Sequence, residues 1–358
     1  MMEYRLLLIG FGAVNRGLAR LLLKKADYLK REWNCTFPVL GISTLSKGSV
    51  YDDNGIELEE ALAAVESVDG LKSLKSLKSL KSSTSKTLEI CSGAEEMIER
   101  AGADVLVEAS YSDLKSGEPA IGHIERALKL GAHVVTSNKG PLVLAYPRLS
   151  SLAREKGLHF RYEGTVMSGT PVFSLAREAL AGAQITSVRG ILNGTTNFML
   201  CQMEQGSSYE AALAEAQRLG YAEADPSGDV EGYDALGKIV ILARVLFGKE
   251  LSLDEVERRG ITDLTSRDLE AARERGKKYK LVGELQMKRE GELKASVKPI
   301  ELEGNSFLAS ISGAGNALTF QSDVLGEVCI SGAGAGGEET GFALLSDLLH
   351  IVRSRQGL

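Results

Sequence analysis

A chain of 358 residues with 44% hydrophobic content has enough apolar material for two cores, and a net charge of −6 argues against nucleic acid as its main partner, since phosphate binding draws on a basic surface. No apolar run reaches the length of a membrane span, and Met1-Met2-Glu3-Tyr4-Arg5 lacks the pattern of a signal peptide, so the expectation is a cytoplasmic protein with no membrane partner. The four cysteines are scattered without metal-like or redox-like spacing and read as buried reduced thiols.

In chain order, residues 6–9 read as a short buried strand, and Gly10-Phe11-Gly12-Ala13-Val14-Asn15-Arg16-Gly17 follows it into an amphipathic helix through Leu18, Leu21 and Leu22. This is a G-x-G-x-x-x-x-G variant of the dinucleotide fingerprint. Glycines let the backbone approach a pyrophosphate, and the first turn of the helix offers N–H groups and a positive dipole end. A tight structural turn is the alternative, and the position between strand and helix favours the nucleotide.

A second strand over residues 37–42 ends in Ser43-Thr44-Leu45-Ser46-Lys47-Gly48. An acid here would accept from a ribose 2′-hydroxyl; hydroxyls and a lysine suit a 2′-phosphate, so NADP(H) is favoured and NAD(H) is the alternative. Residues 71–82 repeat Leu-Lys-Ser four times, and a period of three drifts around a helix, which predicts a mobile surface insertion without chemistry.

The parallel-sheet rhythm resumes with strands over residues 104–109 and 133–136. They lead into Ser110-Tyr111-Ser112 and Ser137-Asn138-Lys139-Gly140-Pro141. Ligands bind at the carboxyl ends of such strands, which directs Ser110 and Lys139 toward a cofactor; a solvated loop charge is the bland alternative for Lys139. After a strand over residues 158–162, Glu163-Gly164-Thr165-Val166-Met167-Ser168-Gly169-Thr170 forms a bend able to expose carbonyls beside one carboxylate, as hard cations require, or else a simple turn. The alternation becomes irregular here, which divides the chain into residues 1–160 and 161–330, with 331–358 returning to the first part.

Residues 185–192 read as a strand, and Asn193-Gly194-Thr195-Thr196-Asn197 caps the helix after it while offering groups to a polar substrate. The stretch from Gly220, Tyr221 and Glu223 through Asp225-Pro226, Asp229 and Asp234 to Lys238 gathers acids before an apolar run over residues 239–247. A helix starting near Asp229 sets Asp234 and Lys238 four residues apart on one face, and the apolar run predicts that its first turn enters the interior. A lysine sheltered there can give and take a proton; a solvated ion pair is the alternative. The glycine-rich segment from Gly332 to Gly337 precedes a last helix expected to pack on the nucleotide domain.

The spacing Ala216-x-x-x-Gly220-Tyr221-Ala222, Asp225-Pro226-x-x-Asp229-Val230-x-Gly232-x-Asp234-x-x-x-Lys238 resembles the signature of the homoserine dehydrogenases. The motifs at Gly10, Ser137, Asn193 and Gly332 follow in family order. The resemblance implies an α/β fold, a Rossmann-type doubly wound parallel sheet with a second α+β mixed-sheet domain for catalysis and dimerisation, and a short monofunctional form. It implies NAD(P)H-dependent reduction of L-aspartate 4-semialdehyde to L-homoserine. Lys238 matches the proton donor and Lys139 the second lysine of the site. Glu223 and Asp234 match substrate-holding residues, with Asp229, Thr195 and Tyr221 beside them. Gly10, Phe11, Gly12, Ala13, Val14, Ser110, Gly220 and Gly334 fall at cofactor positions. Glu163 matches the carboxylate of a monovalent cation site, sodium or potassium, completed by carbonyls of Val166, Ser168 and Thr170. No arginine stands where some relatives clamp the 2′-phosphate. A phosphorylating semialdehyde dehydrogenase would need an activated cysteine that no motif supplies, and a nucleotide-sensing module would not need the acid and lysine cluster.

Overall fold

The computed structural model of the protein describes residues 1–74, 88–289 and 291–356. It divides into two compact units, one made of Met1–Thr165 with Gly336–Leu358 and the other of Val166–Ala335.

The first unit is built on a seven-stranded sheet: β1 (Leu6–Ile9), β2 (Val39–Ser43), β3 (Ser49–Tyr51), β4 (Glu89–Cys91), β5 (Val105–Glu108), β6 (His133–Thr136) and β7 (Phe160–Arg161), in the order β4-β3-β2-β1-β5-β6-β7. Strands β1, β2, β5 and β6 are buried along their whole length, which is why they read as unbroken apolar runs instead of alternating ones. The pairings from β2 through β7 are parallel, as a doubly wound sheet demands. At the other edge β3 pairs antiparallel with both β2 and β4, a hairpin extension that short strands with few periodic residues gave no means of foreseeing.

The helix Ala13–Lys24 follows β1, and the last helix, Gly337–Gln356, lies on it through glycines. A Cβ at Gly17 would fall 2.1 Å from the Gly337 carbonyl oxygen, and one at Gly341 would fall 2.5 Å from the Leu18 nitrogen. Leu344, Leu345, Leu348, Ile351 and Val352 thereby join the same core as Leu6, Leu8 and Leu18. The start of the Leu-Lys-Ser repeat corrects the expectation of a surface insertion. Leu71 and Leu74 are buried in that core, since two leucines three apart share a face over a single turn even though a longer run would drift. The repeat from residue 75 onward lies outside the described residues.

The second unit carries a six-stranded sheet of β8 (Ile185–Ile191), β9 (Glu257–Arg258), β10 (Lys277–Met287), β11 (Leu293–Glu303), β12 (Gly315–Ser322) and β13 (Gly326–Ala333), in the order β9-β11-β10-β8-β12-β13. All pairings are antiparallel except β9 with β11. The β12–β13 hairpin was not anticipated from the sequence. Gly190 and Gly283 face each other across β8 and β10. A Cβ at Gly283 would come within 2.7 Å of Ile239 Cγ1, and one at Gly190 within 2.6 Å of Leu318 Cδ1. The bare position at Gly283 lets the helix Tyr233–Phe247 settle directly on β10, and its residues from Ala235 to Ala243 are all buried.

Candidate active site

The acid and lysine stretch is not one helix from Asp229, as its spacing predicted. A short helix, Ser227–Val230, ends before Gly232, whose φ of +84° is left-handed, and the long helix Tyr233–Phe247 starts there. Only glycine takes that conformation without strain. The break swings Asp229 back toward the start of the long helix.

Lys238 is 7% exposed. Its Nζ donates to Asp234 Oδ2 at 2.7 Å, one turn earlier, and to the Leu192 carbonyl at 2.6 Å, at the carboxyl end of β8. Asn193, the next residue, binds both acids: its Nδ2 donates to Asp229 Oδ1 at 2.6 Å and to Asp234 Oδ2 at 3.0 Å. The same side chain caps the helix Gly194–Glu204, its Oδ1 accepting from the Thr196 amide at 2.9 Å. Asn193 is thus the residue that joins strand end, helix start and both carboxylates. Sequence reading gave it the cap but not the bridge, because the acids it meets are 36 and 41 residues away. Burial raises the Asp229 carboxyl above the usual aspartate range, and the Asp234 charge pushes it the same way. The Asn193 and Thr195 hydrogen bonds and the Lys238 ammonium oppose the rise.

Thr195 donates its hydroxyl to the Tyr221 carbonyl at 2.6 Å, and the half-exposed Tyr221 ring lies 5.1 Å from that of Phe198. Gly220 ends the preceding turn at φ +78°. The exposed Glu223 presents its carboxylate to solvent while its carbonyl accepts from Gln217 Nε2 at 3.1 Å. Within this unit the structure therefore gathers Lys238, Asp234, Asp229 and Asn193 into one bonded cluster, with Thr195 and Tyr221 alongside.

The first unit holds the fingerprint. Gly10 sits at φ +80° with no room for a side chain, since a Cβ would fall 2.5 Å from backbone atoms of Ala109 and Ser110. Asn15, fully buried, donates to the carbonyls of Ile9 and Gly10 at 3.1 and 3.2 Å and holds the loop shape. Phe11 is buried, Gly12 precedes the helix, and Ala13 and Val14 form its first turn, so their N–H groups have no carbonyl four residues back within it. That donor set fits a nucleotide pyrophosphate. The loops after β5 and β6 are tied together: Asn138 Nδ2 donates to the Ser110 and Tyr111 carbonyls at 3.3 and 3.1 Å, and its Oδ1 accepts from Ser112 Oγ at 2.7 Å. The Ser110 amide donates to the buried Glu108 at 3.2 Å, and its hydroxyl also donates there. Lys139, expected in a loop, is the first residue of the helix Lys139–Leu144, capped by Asn138.

At the end of β2 the hydroxyls of Ser43 and Ser49 meet at 2.7 Å, and Lys47 Nζ donates to the Ser67 carbonyl at 3.0 Å. The lysine expected for a 2′-phosphate is drawn to a backbone acceptor. Glu163, near the end of the first unit's stretch Met1–Thr165, is buried, its amide donating to Asp347 Oδ2 at 2.8 Å. In the second unit Val166, Ser168 and Thr170 are buried, and Met167 and Ser168 adopt left-handed φ of 59° and 54°.

A glycine fingerprint on a parallel sheet, with a sheltered lysine–carboxylate cluster on a mixed sheet, defines a nicotinamide-dependent oxidoreductase. Comparison with known proteins is specific. The homoserine dehydrogenase family profile matches residues 171–349, and the profile for its NAD binding domain matches residues 10–163. The NAD(+)-dependent homoserine dehydrogenase of Pseudomonas canavaninivorans is 44% identical, with 99% of this chain and 97% of that protein covered. The homoserine dehydrogenase of Methanocaldococcus jannaschii is 40% identical, with 98% of each covered. Among solved structures, a putative homoserine dehydrogenase from Archaeoglobus fulgidus superposes with a TM-score of 0.84 at 39% identity over 98% of this chain and 99% of that one. A hyperthermophilic archaeal homoserine dehydrogenase in complex with NADPH gives 0.79 at 30% identity over 100% and 99%. The chain belongs to the homoserine dehydrogenase family, oxidoreductases that act on a CH–OH group with a nicotinamide cofactor.

Proposed function

We propose that Lys238 is the proton donor in the family's reaction, the reversible reduction of L-aspartate 4-semialdehyde to L-homoserine, and that NADP(H) is preferred over NAD(H). The observation that carries the first point is the fixed ammonium: two of its three N–H donors are engaged by Asp234 and the Leu192 carbonyl, which leaves the third for a substrate oxygen. The bound nicotinamide supplies or takes the hydride. As charge builds on the aldehyde oxygen, Lys238 stabilises it and delivers the proton, with Asp234 and Leu192 holding the amine in place. Lys139 serves as the second cation, and Glu223 with Asp229 receives the substrate ammonium, with Thr195 and Tyr221 lining the same place.

The cofactor preference is supported by the lack of any acid over residues 43–48 and by the archaeal relative solved with NADPH. NAD is the second reading, favoured by the engagement of Lys47 with Ser67 and by the NAD(+)-dependent relative. Glu163, with the carbonyls of Val166, Ser168 and Thr170, holds a monovalent cation, sodium or potassium. Assembly is as a homodimer through the second unit, whose edge strand β13 leaves a rim unpaired beside the exposed Val324 and Leu325. A cytoplasmic setting fits a chain in which no helix among the described residues is long and apolar enough to cross a membrane.

The test is homoserine oxidation with NAD and NADP in parallel, with and without sodium or potassium. Lys238→Ala should lower kcat by about 10²–10⁴-fold with cofactor binding nearly intact. Equal loss of both would assign the lysine a folding role, and a clear preference for NAD would overturn the NADP assignment.

A further inference from the structure

Ile9, Glu108 and Thr136 form one row across the first unit's sheet: Ile9 pairs with Glu108, Glu108 pairs with Thr136, and each is the last residue of its strand. From this row the chain leaves β1 into Gly10, β5 into Ala109 and Ser110, and β6 into Ser137, at the carboxyl edge where such sheets bind ligands. Glu108 is completely buried there. A carboxyl shut away from water weakens the fold unless its bonds offset the loss. Among the described residues its Oε2 has no hydrogen-bond partner. His123, buried on the helix Ala120–Lys129, stands with Nδ1 3.7 Å from Glu108 Oε1, too far for a hydrogen bond, and that nitrogen has no other partner among the described residues. An apolar pair of the same volume would suit the interior better.

What Glu108 does hold is Ser110. Its Oε1 accepts from the Ser110 amide at 3.2 Å and from the Ser110 hydroxyl, so one oxygen takes both donors of that residue. The Ser110 carbonyl is fixed as well, by Asn138 Nδ2 at 3.3 Å. The fingerprint is seated directly on this residue. A Cβ at Gly10 would fall 2.5 Å from the Ala109 carbonyl and the Ser110 Cα, so any shift of Ser110 is felt by the glycine that opens the nucleotide loop. On its other side the Gly10 amide donates to the Ser43 carbonyl at 2.9 Å, which leaves the loop clasped between the ends of β2 and β5. All of these groups belong to the first unit.

We propose that Glu108 is a positioning residue for the nicotinamide cofactor: it acts through Ser110, holding the loop after β5 in the place on which Gly10 and the nucleotide loop are seated. The carboxyl itself stays behind the loop, and the penalty of burying it is offset by the fixed position of Ser110. The inference rests on the family's use of a nicotinamide cofactor, and titration of the wild type with NADPH and with NADH tests that premise separately.

The experiment compares wild type with Glu108→Leu, which fills the site without an acceptor, and Glu108→Gln, which keeps an oxygen for Ser110. Kd for NADPH and for NADH is read from nucleotide fluorescence with no homoserine present, and KM is measured separately for cofactor and for L-homoserine. Glu108→Leu should raise the cofactor Kd and KM about tenfold or more, while the homoserine KM stays within about threefold of wild type. Glu108→Gln should hold the cofactor Kd within about threefold of wild type. If the leucine variant does not fold, Glu108→Asp takes its place, since the shorter side chain withdraws the oxygen from Ser110, and the same split between the two KM values is expected. Unchanged cofactor binding in the folded leucine or aspartate variant would overturn the proposal. So would equal loss of both KM values, which marks a purely structural carboxyl, or a glutamine variant as impaired as the leucine one, which assigns the effect to charge instead of to the contact with Ser110. Should wild type bind neither nucleotide, the premise falls and the proposal with it, and the wild-type titration tells that failure from the others.

Discussion

Asp229 carries a cost that its neighbours only partly offset. Burial is the leading cause of its raised carboxyl, with Asp234 adding to it and Asn193 and Lys238 opposing. A carboxyl whose folded-state value lies above its unfolded one contributes stability at low pH and loses it as pH rises through the folded value. Asp229→Asn removes that loss. Its melting temperature should therefore gain on wild type as pH is raised from about 4 toward neutrality, the range above the unperturbed aspartate value. A constant difference across that range would show the carboxyl to be unperturbed. At this scale half of the cluster was legible in the chain: Asp234 and Lys238 stand one helical turn apart, and such a pair needs no tertiary knowledge to find. The Leu192 carbonyl and the Asn193 amide were not legible, because a strand end meets a distant helix start only after the sheet has formed.

For the elements, the decisive feature is Gly283 under the helix Tyr233–Phe247. Helix packing on a sheet normally stands off by the length of intervening side chains, and Gly283 removes one beneath Ile239, the residue after Lys238, whose ammonium reaches the Leu192 carbonyl just past the end of β8. Gly283→Ala would set a methyl 2.7 Å from Ile239 Cγ1. Overpacking of this kind costs about 1–3 kcal/mol, so chemical denaturation should show a loss in that range, together with a drop in kcat as Lys238 is displaced. A fall in stability with unaltered kcat would mean that Ile239 yields and the helix stays in place. The helix break was misread in the sequence because the apolar run signals a helix and says little about its start. Gly232, left-handed at φ +84°, was the available clue. Strands β12 and β13 were passed over for a related reason: the mostly buried run of β12 and the glycines at the two ends of β13, Gly326 and Gly332, mask the period of two.

Across the molecule, the first unit holds a buried histidine. His133 accepts from the His159 amide at 3.0 Å through Nδ1, and burial, His159 and Arg355 push its pKa down to about 4. A depressed histidine contributes stability above its unfolded value near 6.5 that is lost as pH falls toward about 4. Asp347, raised to about 7 by burial, tilts the balance the other way over part of the same range, so the histidine is isolated by comparison with a variant. His133→Gln should lose less melting temperature than wild type between pH 6.5 and 4, and parallel profiles would discount the histidine.

By itself the sequence determined the kinds of chemistry available: a glycine fingerprint after the first strand, an acid–lysine turn before an apolar helix, and enough spaced residues to mark the family. These are local, carried by residues within a few positions of one another, where backbone geometry alone sets their neighbours. Tertiary structure decided which groups Lys238 touches, that Asn193 joins two acids, and that Lys47 bonds a carbonyl. Each depends on strand register and on how closely a helix approaches a sheet, and those distances follow from packing the whole core at once.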